Sequence, residues 1–111
     1  MDRSQLLRGA LDAAVLAVVA EQDGYGYDVL RRLRAAGLND VGDASVYGTL
    51  RRLYSSGALT SYVLPSAEGP HRRYYEITKL GQAQLAEARV VWADFCNALT
   101  SLLEIEVEAG V

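Results

Sequence analysis

Cysteine occurs once, at position 96, and histidine once, at position 71, in a chain of 111 residues. A single thiol excludes an internal disulfide and any multi-cysteine zinc site, and His71 has no neighbouring residues with which to ligate a metal. Long hydrophobic runs are also missing. The longest, Ala13–Ala20, is bounded by Asp12 and Glu21 and reads as a buried helix rather than a membrane span. Arg3 and Arg8 precede it, but no small-residue cleavage site follows, so no leader peptide is expected and the chain reads as cytoplasmic. Catalytic groups are equally scarce. The chain offers no nucleophile–base pair and no phosphate-binding glycine loop, so neither an enzyme nor a cofactor is expected.

What is present describes a single globular domain, with 50% apolar and 23% charged residues. The net charge of −3 argues at first against a nucleic-acid partner, but its distribution matters more than its sum. Acid collects at the C-terminal end, in Glu87, Asp94, Glu104, Glu106 and Glu108. Between positions 44 and 79, Arg51, Arg52, Arg72, Arg73 and Lys79 face only Glu68 and Glu76.

The apolar spacing predicts a first helix from Ser4 to about Ala20, started by a capping-box pair, Asp2 and Gln5, with Leu7, Leu11, Ala14 and Val18 on one face. A second helix starts near Tyr25, turns Val29, Leu30 and Leu33 inward, leaves Arg31, Arg32 and Arg34 to solvent, and ends at Gly37. A third helix, capped by Asp43 and ended by Gly57, buries Val46, Leu50 and Leu53. The period then changes to two. Leu59–Leu64 and His71–Ile77 read as strands joined by turn material from Pro65 to Pro70. Thr78 caps a last helix reaching about Glu106.

The fold class expected is therefore mainly α with a small β-hairpin (α+β), in the order of a winged helix-turn-helix followed by a long C-terminal dimerisation helix. Residues 1–78 form the winged unit and 79–111 the helix. In such an arrangement the third helix reads the major groove, and groups around it hold phosphates. Its outward face near the N-terminus holds Ser45, Tyr47, Gly48, Thr49 and Arg52, with Arg51 beside them. Gly48 is costly inside a helix, by up to about 1 kcal/mol against alanine, and a close approach to DNA explains it. His71, Arg72 and Arg73 follow the hairpin turn, where a wing tip reaches phosphates or the minor groove.

Four segments in register carry a resemblance: Tyr25-Gly26-Tyr27-Asp28-Val29-Leu30, Ser45-Val46-Tyr47-Gly48-Thr49-Leu50-Arg51-Arg52-Leu53, Gly57-Ala58-Leu59 and Arg72-Arg73-Tyr74-Tyr75-Glu76-Ile77-Thr78-Lys79-Leu80-Gly81. In order and spacing, over roughly residues 9–95, the chain resembles the PadR family of bacterial transcription regulators. The resemblance implies a repressor that binds an inverted-repeat DNA operator as a homodimer and releases it when an effector binds. It implies DNA contacts by Ser45, Tyr47 and Thr49 from the recognition helix and by Arg72 and Arg73 from the wing, with Tyr27 and Lys79 near phosphates. Pro70-His71 and Gly48 depart from the family pattern, which more usually has glycine with a basic residue in the wing and a larger residue, often proline, in the helix. Tyr25, Tyr27, Tyr74 and Tyr75 have a second reading as rings packed at the base of the helical domain.

In the last helix Leu85, Ala88, Trp92, Phe95, Leu99 and Leu102 recur at alternating spacings of three and four, an a/d seam over about two and a half heptads. The expected interface joins this stripe to Leu7, Leu11, Val15 and Val18 of the partner's first helix; the rival reading folds the stripe back onto its own domain. Trp92 keeps the offset from Thr78 and Gly81 at which, in the multidrug-responsive members that the chain resembles, a tryptophan stacks on flat ligands. An effector of flat aromatic or natural-product-like character is expected against Trp92, Val15, Phe95 and Leu99, although Trp92 reads equally as a large residue sealing the interface. Cys96 borders the seam, as a small buried hydrophobe or as a redox group. The alternative to the repressor is a protein- or small-molecule-binding module on the same fold without operator affinity.

Overall fold

Three apolar stripes at helical spacing cannot be buried singly, and they meet in one core. The computed structural model describes residues 2–67 and 69–106. Its elements run α1 (Ser4–Glu21), β1 (Gly24–Tyr25), α2 (Gly26–Ala35), α3 (Asp43–Ser55), β2 (Leu59–Ser66), β3 (Gly69–Ile77) and α4 (Lys79–Leu102). The core joins Leu11, Val15, Leu16 and Val19 of α1 to Val29, Leu30 and Leu33 of α2 and Val46, Leu50 and Leu53 of α3. Val41, Ala58, Leu59 and Leu85 close it. The buried face of α1 is thus centred on Val15, with Leu7, Ala14 and Val18 at its margins.

Helix ends follow local chemistry. The Asp2–Gln5 capping box is not formed: Arg3 holds the N-cap of α1 with no side-chain cap hydrogen bond, and Asp2 accepts from the Ser4 N–H at 2.9 Å. Gly37 at φ +114° and Gly57 at φ +86° take the left-handed conformation that ends α2 and α3. The Leu38 and Ala58 N–H groups then return to the carbonyls of Leu33 and Leu53. Asp43 is not the cap of α3. Gly42 holds that position and Asp43 is the first helical residue, where its charge suits the helix dipole and pairs with Arg34 at 3.0 Å.

Arg32 is likewise not a solvated residue. Its guanidinium donates to the carbonyls of Val18 at 2.6 Å and Gln22 at 2.9 Å, supplying the end of α1 with a cation that α1 lacks in its own last turn. A side chain from the next helix thus satisfies the carbonyls left over where α1 stops.

The hairpin is part of a three-stranded antiparallel sheet in the order β1-β3-β2. Two residues, Gly24 and Tyr25, pair with Tyr75 and Tyr74; so short a strand has no periodicity to read. The turn is also tighter than the prolines suggest, because Ser66 pairs with Gly69. Pro65 lies within β2 and Pro70 within β3, at a register shift where Pro70-His71 oppose Pro65 alone. Proline has no N–H to give a ladder, and a bulge is where a strand tolerates it.

Tyr74 stacks on Tyr62 at a centroid distance of 5.7 Å and meets Tyr25 edge to face at 5.4 Å. The Tyr62 hydroxyl donates to Asp23 at 2.6 Å, which pushes its pKa up to about 12 and ties β2 to the α1–β1 turn.

Thr78 caps α4 by accepting from the Gly81 N–H at 3.1 Å. The helix stops at Leu102, short of Glu106, and Glu104 turns left-handed at φ +53°. Residues 107–111 of the expected C-terminal segment, and Glu68, lie outside the described residues. Leu85 is buried against the helical domain and Trp92 half-buried, whereas Val91, Phe95, Leu99 and Leu102 are exposed. One end of α4 folds back and the other projects.

Candidate nucleic-acid interface

With Val46, Thr49, Leu50 and Leu53 buried, the helical period puts Ala44, Gly48, Arg51 and Ser55 on the outermost ridge of α3. Ser45 and Arg52 flank one side of that ridge, and Tyr47 the other. Thr49 edges the cleft between α1 and α3 but adds little to this surface. It is 4% exposed, and its hydroxyl donates to the Ser45 carbonyl at 2.7 Å, so it is spent inside the helix and the core. Ala44 is the residue the sequence reading missed. Projecting the buried set onto a 100° wheel finds it, four residues before Gly48 on the same ridge. Two small residues there let the helix backbone come close to whatever it meets.

Gly48 has no atom within 4 Å of where a Cβ would stand. Packing within the chain therefore gives no reason for a glycine. Gly26 is the reverse case: a Cβ there would meet the Tyr47 ring at 2.7 Å. The missing side chain lets Tyr47 lie across the start of α2 while it remains 38% exposed.

Two clefts flank α3. One, of about 300 Å³, is lined by Tyr47, Leu50 and Arg51 of α3, by Tyr25 and Gly26, and by Arg72, Arg73 and Tyr75 of β3. It gathers three arginines beside aromatic walls, a surface suited to a phosphate backbone. The other, of about 500 Å³, runs between α1 and α3 and includes Arg8, Asp12, Ser45, Gly48 and Arg52.

The arginines differ in how they are held. The Arg72 guanidinium lies 4.5 Å from the centre of the Tyr25 ring, and Arg73 donates to the Ser61 hydroxyl at 2.8 Å. They stand on the flanks of the hairpin rather than at its tip, on successive residues and therefore on opposite sheet faces. Arg52 forms a two-pronged pair with Asp12 of α1, at 2.7 and 2.8 Å, which raises its pKa. Arg51 makes no ion pair among the described residues. Tyr27, 59% exposed, His71 and Lys79 are on the surface but line neither cleft. Tyr25, Tyr74 and Tyr75 are half-buried.

A third groove, of about 300 Å³, lies between α1 and α4, with Gly9, Ala13, Leu16, Ala88, Val91 and Trp92 among its walls. Trp92 meets Phe95 edge to face at 5.9 Å. Val15 cannot serve an effector there, being fully buried in the core, and Leu11 and Leu85 are spent in the same core rather than offered to a partner. Cys96 is exposed rather than buried. Among the described residues no cluster of His, Cys, Asp or Glu could hold a metal ion, and no helix is long and apolar enough to cross a membrane.

Comparison with known proteins agrees with this geometry. A solved structure of a PadR-like transcriptional regulator from Bacillus cereus is 31% identical, with a TM-score of 0.82, covering 93% of this chain and 100% of that one. An uncharacterized protein of Lysinibacillus sphaericus is 31% identical over 94% of this chain and 97% of its own length. The Bacillus subtilis PadR in complex with operator DNA is similar in fold, with a TM-score of 0.66 at 19% identity over 73% of this chain and 47% of that one. Residues 15–87 match the transcriptional regulator PadR-like family, and the chain belongs to that family.

Proposed function

We propose that this PadR-like regulator is a repressor that binds an inverted-repeat DNA operator as a homodimer, with α3 in the major groove and the β2–β3 hairpin on the flanking backbone. The observation that carries the reading is the surface around α3. A ridge of small residues stands between an arginine-rich cleft and a polar groove, and nothing in the chain's own packing calls for it. A protein of similar fold has been solved in complex with operator DNA, which supports DNA as the partner. Tyr47, Ser45 and the Ala44–Gly48 ridge specify; Arg51, Arg72 and Arg73 anchor, with His71, Tyr27 and Lys79 at the margins.

These roles separate experimentally. Tyr47→Ala is expected to weaken the cognate operator by about 1–3 kcal/mol, the worth of a good base contact, while sparing random duplex. The pair Arg72→Ala with Arg73→Ala is expected to weaken every duplex alike and to flatten the dependence of affinity on salt, because lost phosphate contacts release fewer counterions. Binding titrations on both duplexes at several salt concentrations check this. Equal losses from both kinds of change contradict the division of roles.

The dimer rests on the projecting half of α4. Val91, Phe95, Leu99 and Leu102 leave an apolar face that is exposed among the described residues, and Trp92 and Ala88 border it. The α1 side of the seam falls to the exposed Leu6 and to Gly9, with Leu7 at the edge. Gly9 lies inside a helix with nothing within 4 Å of its missing Cβ, as suits close approach by a second backbone.

An effector, flat and largely apolar, fits beside Trp92, Phe95 and Leu99, where indole and phenyl rings offer stacking area. Trp92 is the only tryptophan. Planar compounds that release operator DNA are therefore expected to quench its fluorescence and to lose affinity in Trp92→Ala. Release of DNA with unchanged binding to Trp92→Ala contradicts that site.

A further inference from the structure

Asp12 stands out in α1 as an acid among apolar neighbours, between Leu11 and Ala13, and is only half-buried. Its partner is Arg52 on the flank of α3: both terminal guanidinium nitrogens reach it, one to each carboxylate oxygen, at 2.7 and 2.8 Å. The two side chains remain 59% and 48% exposed. Ion pairs this exposed contribute little to stability, so holding α1 to α3 is a weak reason for the pair. Its consequence is positional. The forked edge of a guanidinium that grips a carboxylate is the edge that grips a phosphate, and here the carboxylate has taken it. Arg51, one residue earlier, makes no such pair among the described residues. The adjacent arginines thus offer DNA different things: one a cation without an ion pair among the described residues, the other a neutralised, fixed donor in the groove shared by Ser45 and Gly48.

We propose that Asp12, outside the helix-turn-helix, is a positioning residue that limits the strength of DNA binding: it keeps Arg52 off the phosphate backbone and so lowers affinity for duplex of any sequence. The inference rests on the reading of α3 as the recognition helix. Without Asp12, Arg52 gains a phosphate contact that is blind to sequence.

The test is binding of the full chain and its variants to operator and to scrambled duplex across a salt series. Asp12→Asn keeps the size of the side chain and removes the charge. It is expected to bind both duplexes several-fold more tightly at low salt, to steepen the salt slope on both by about 0.9, the value of one further phosphate contact, and to leave the operator-to-scrambled ratio nearly unchanged. Asp12→Glu, which keeps a carboxylate, should retain the parental slope. Adding Arg52→Gln to Asp12→Asn should abolish the gain, which ties it to this arginine rather than to a changed fold. An unchanged slope in Asp12→Asn overturns the proposal, as does equal weakening of both duplexes, since the pair would then only brace α1 on α3. If the parent protein binds neither duplex, the recognition-helix reading fails and this inference with it.

Discussion

Phe95→Asp is expected to give a folded monomer that has lost most of its affinity for the operator. Phe95 is 55% exposed on the half of α4 that projects from the helical domain, and among the described residues its one ring contact is with Trp92. The core from Leu11 to Leu85 does not depend on it, so the chain should still melt cooperatively. A partner's α4 laid along Val91, Phe95, Leu99 and Leu102 would enclose the new carboxylate, at a cost of several kcal/mol for a charge left unpaired in an apolar seam. Once the dimer is lost, each half-site must be bound independently, and the gain from linking two modules, about 10²–10⁴ in affinity, goes with it. Light scattering at micromolar concentration, paired with a titration of the operator, checks both halves. A parent protein that is already monomeric, or a Phe95→Asp dimer, contradicts the assignment of the seam.

The second large effect concerns a glycine the family motif contains but does not explain. A Cβ on Gly81 would stand 2.1 Å from the Ala58 carbonyl oxygen and 2.7 Å from Ile77 Cγ1. The first of these is backbone and cannot turn aside. The same joint holds Thr78, whose hydroxyl donates to the Gly57 carbonyl at 2.6 Å and whose N–H donates to Ala58. Gly81→Ala therefore has to push α4 off the start of β2. Overpacking of this kind costs about 1–3 kcal/mol, and the upper end is expected where the obstacle is backbone. At about 4–8 °C per kcal/mol for a domain of this size, thermal melting should fall by well over 10 °C. Gly48→Ala is the internal control of opposite sign. With open space around it, alanine should stabilise the chain by up to about 1 kcal/mol and yet impair operator binding. Parental melting in Gly81→Ala would contradict the packing described.

The residues that were legible in the sequence are those whose roles are local. Apolar spacing located α2 and α3 with their buried sets, and Gly37 and Gly57 marked their ends because a left-handed terminus selects glycine. Thr78 capped α4 as its spacing to Gly81 required. What escaped depends on contacts distant in the chain. β1 is two residues whose pairing exists only because Tyr74 and Tyr75 pass beside them. Arg32 looks solvated on its own helix and becomes a cap only when α1 ends within reach. Thr49 looked available because three apolar residues do not fix the width of a buried face, and the fourth member was a hydroxyl satisfied inside the helix. Val15, Leu11 and Leu85 were assigned to a partner's surface for a related reason: a heptad stripe states that residues are buried, not which chain buries them. The Asp12–Arg52 pair spans forty residues and left no trace in either local pattern.

The central claim, that α3 and the hairpin read an operator, is tested most directly by titrating the unmodified protein onto two labelled duplexes of equal length. One carries the DNA upstream of the gene that encodes the chain; the other is a scramble of it. The account predicts two chains per cognate duplex and a preference over the scramble of about a thousandfold or more, the lower bound for specific binders. Equal affinity for both duplexes would contradict the reading of sequence, and affinity for neither would leave a winged-helix module whose partner is not DNA.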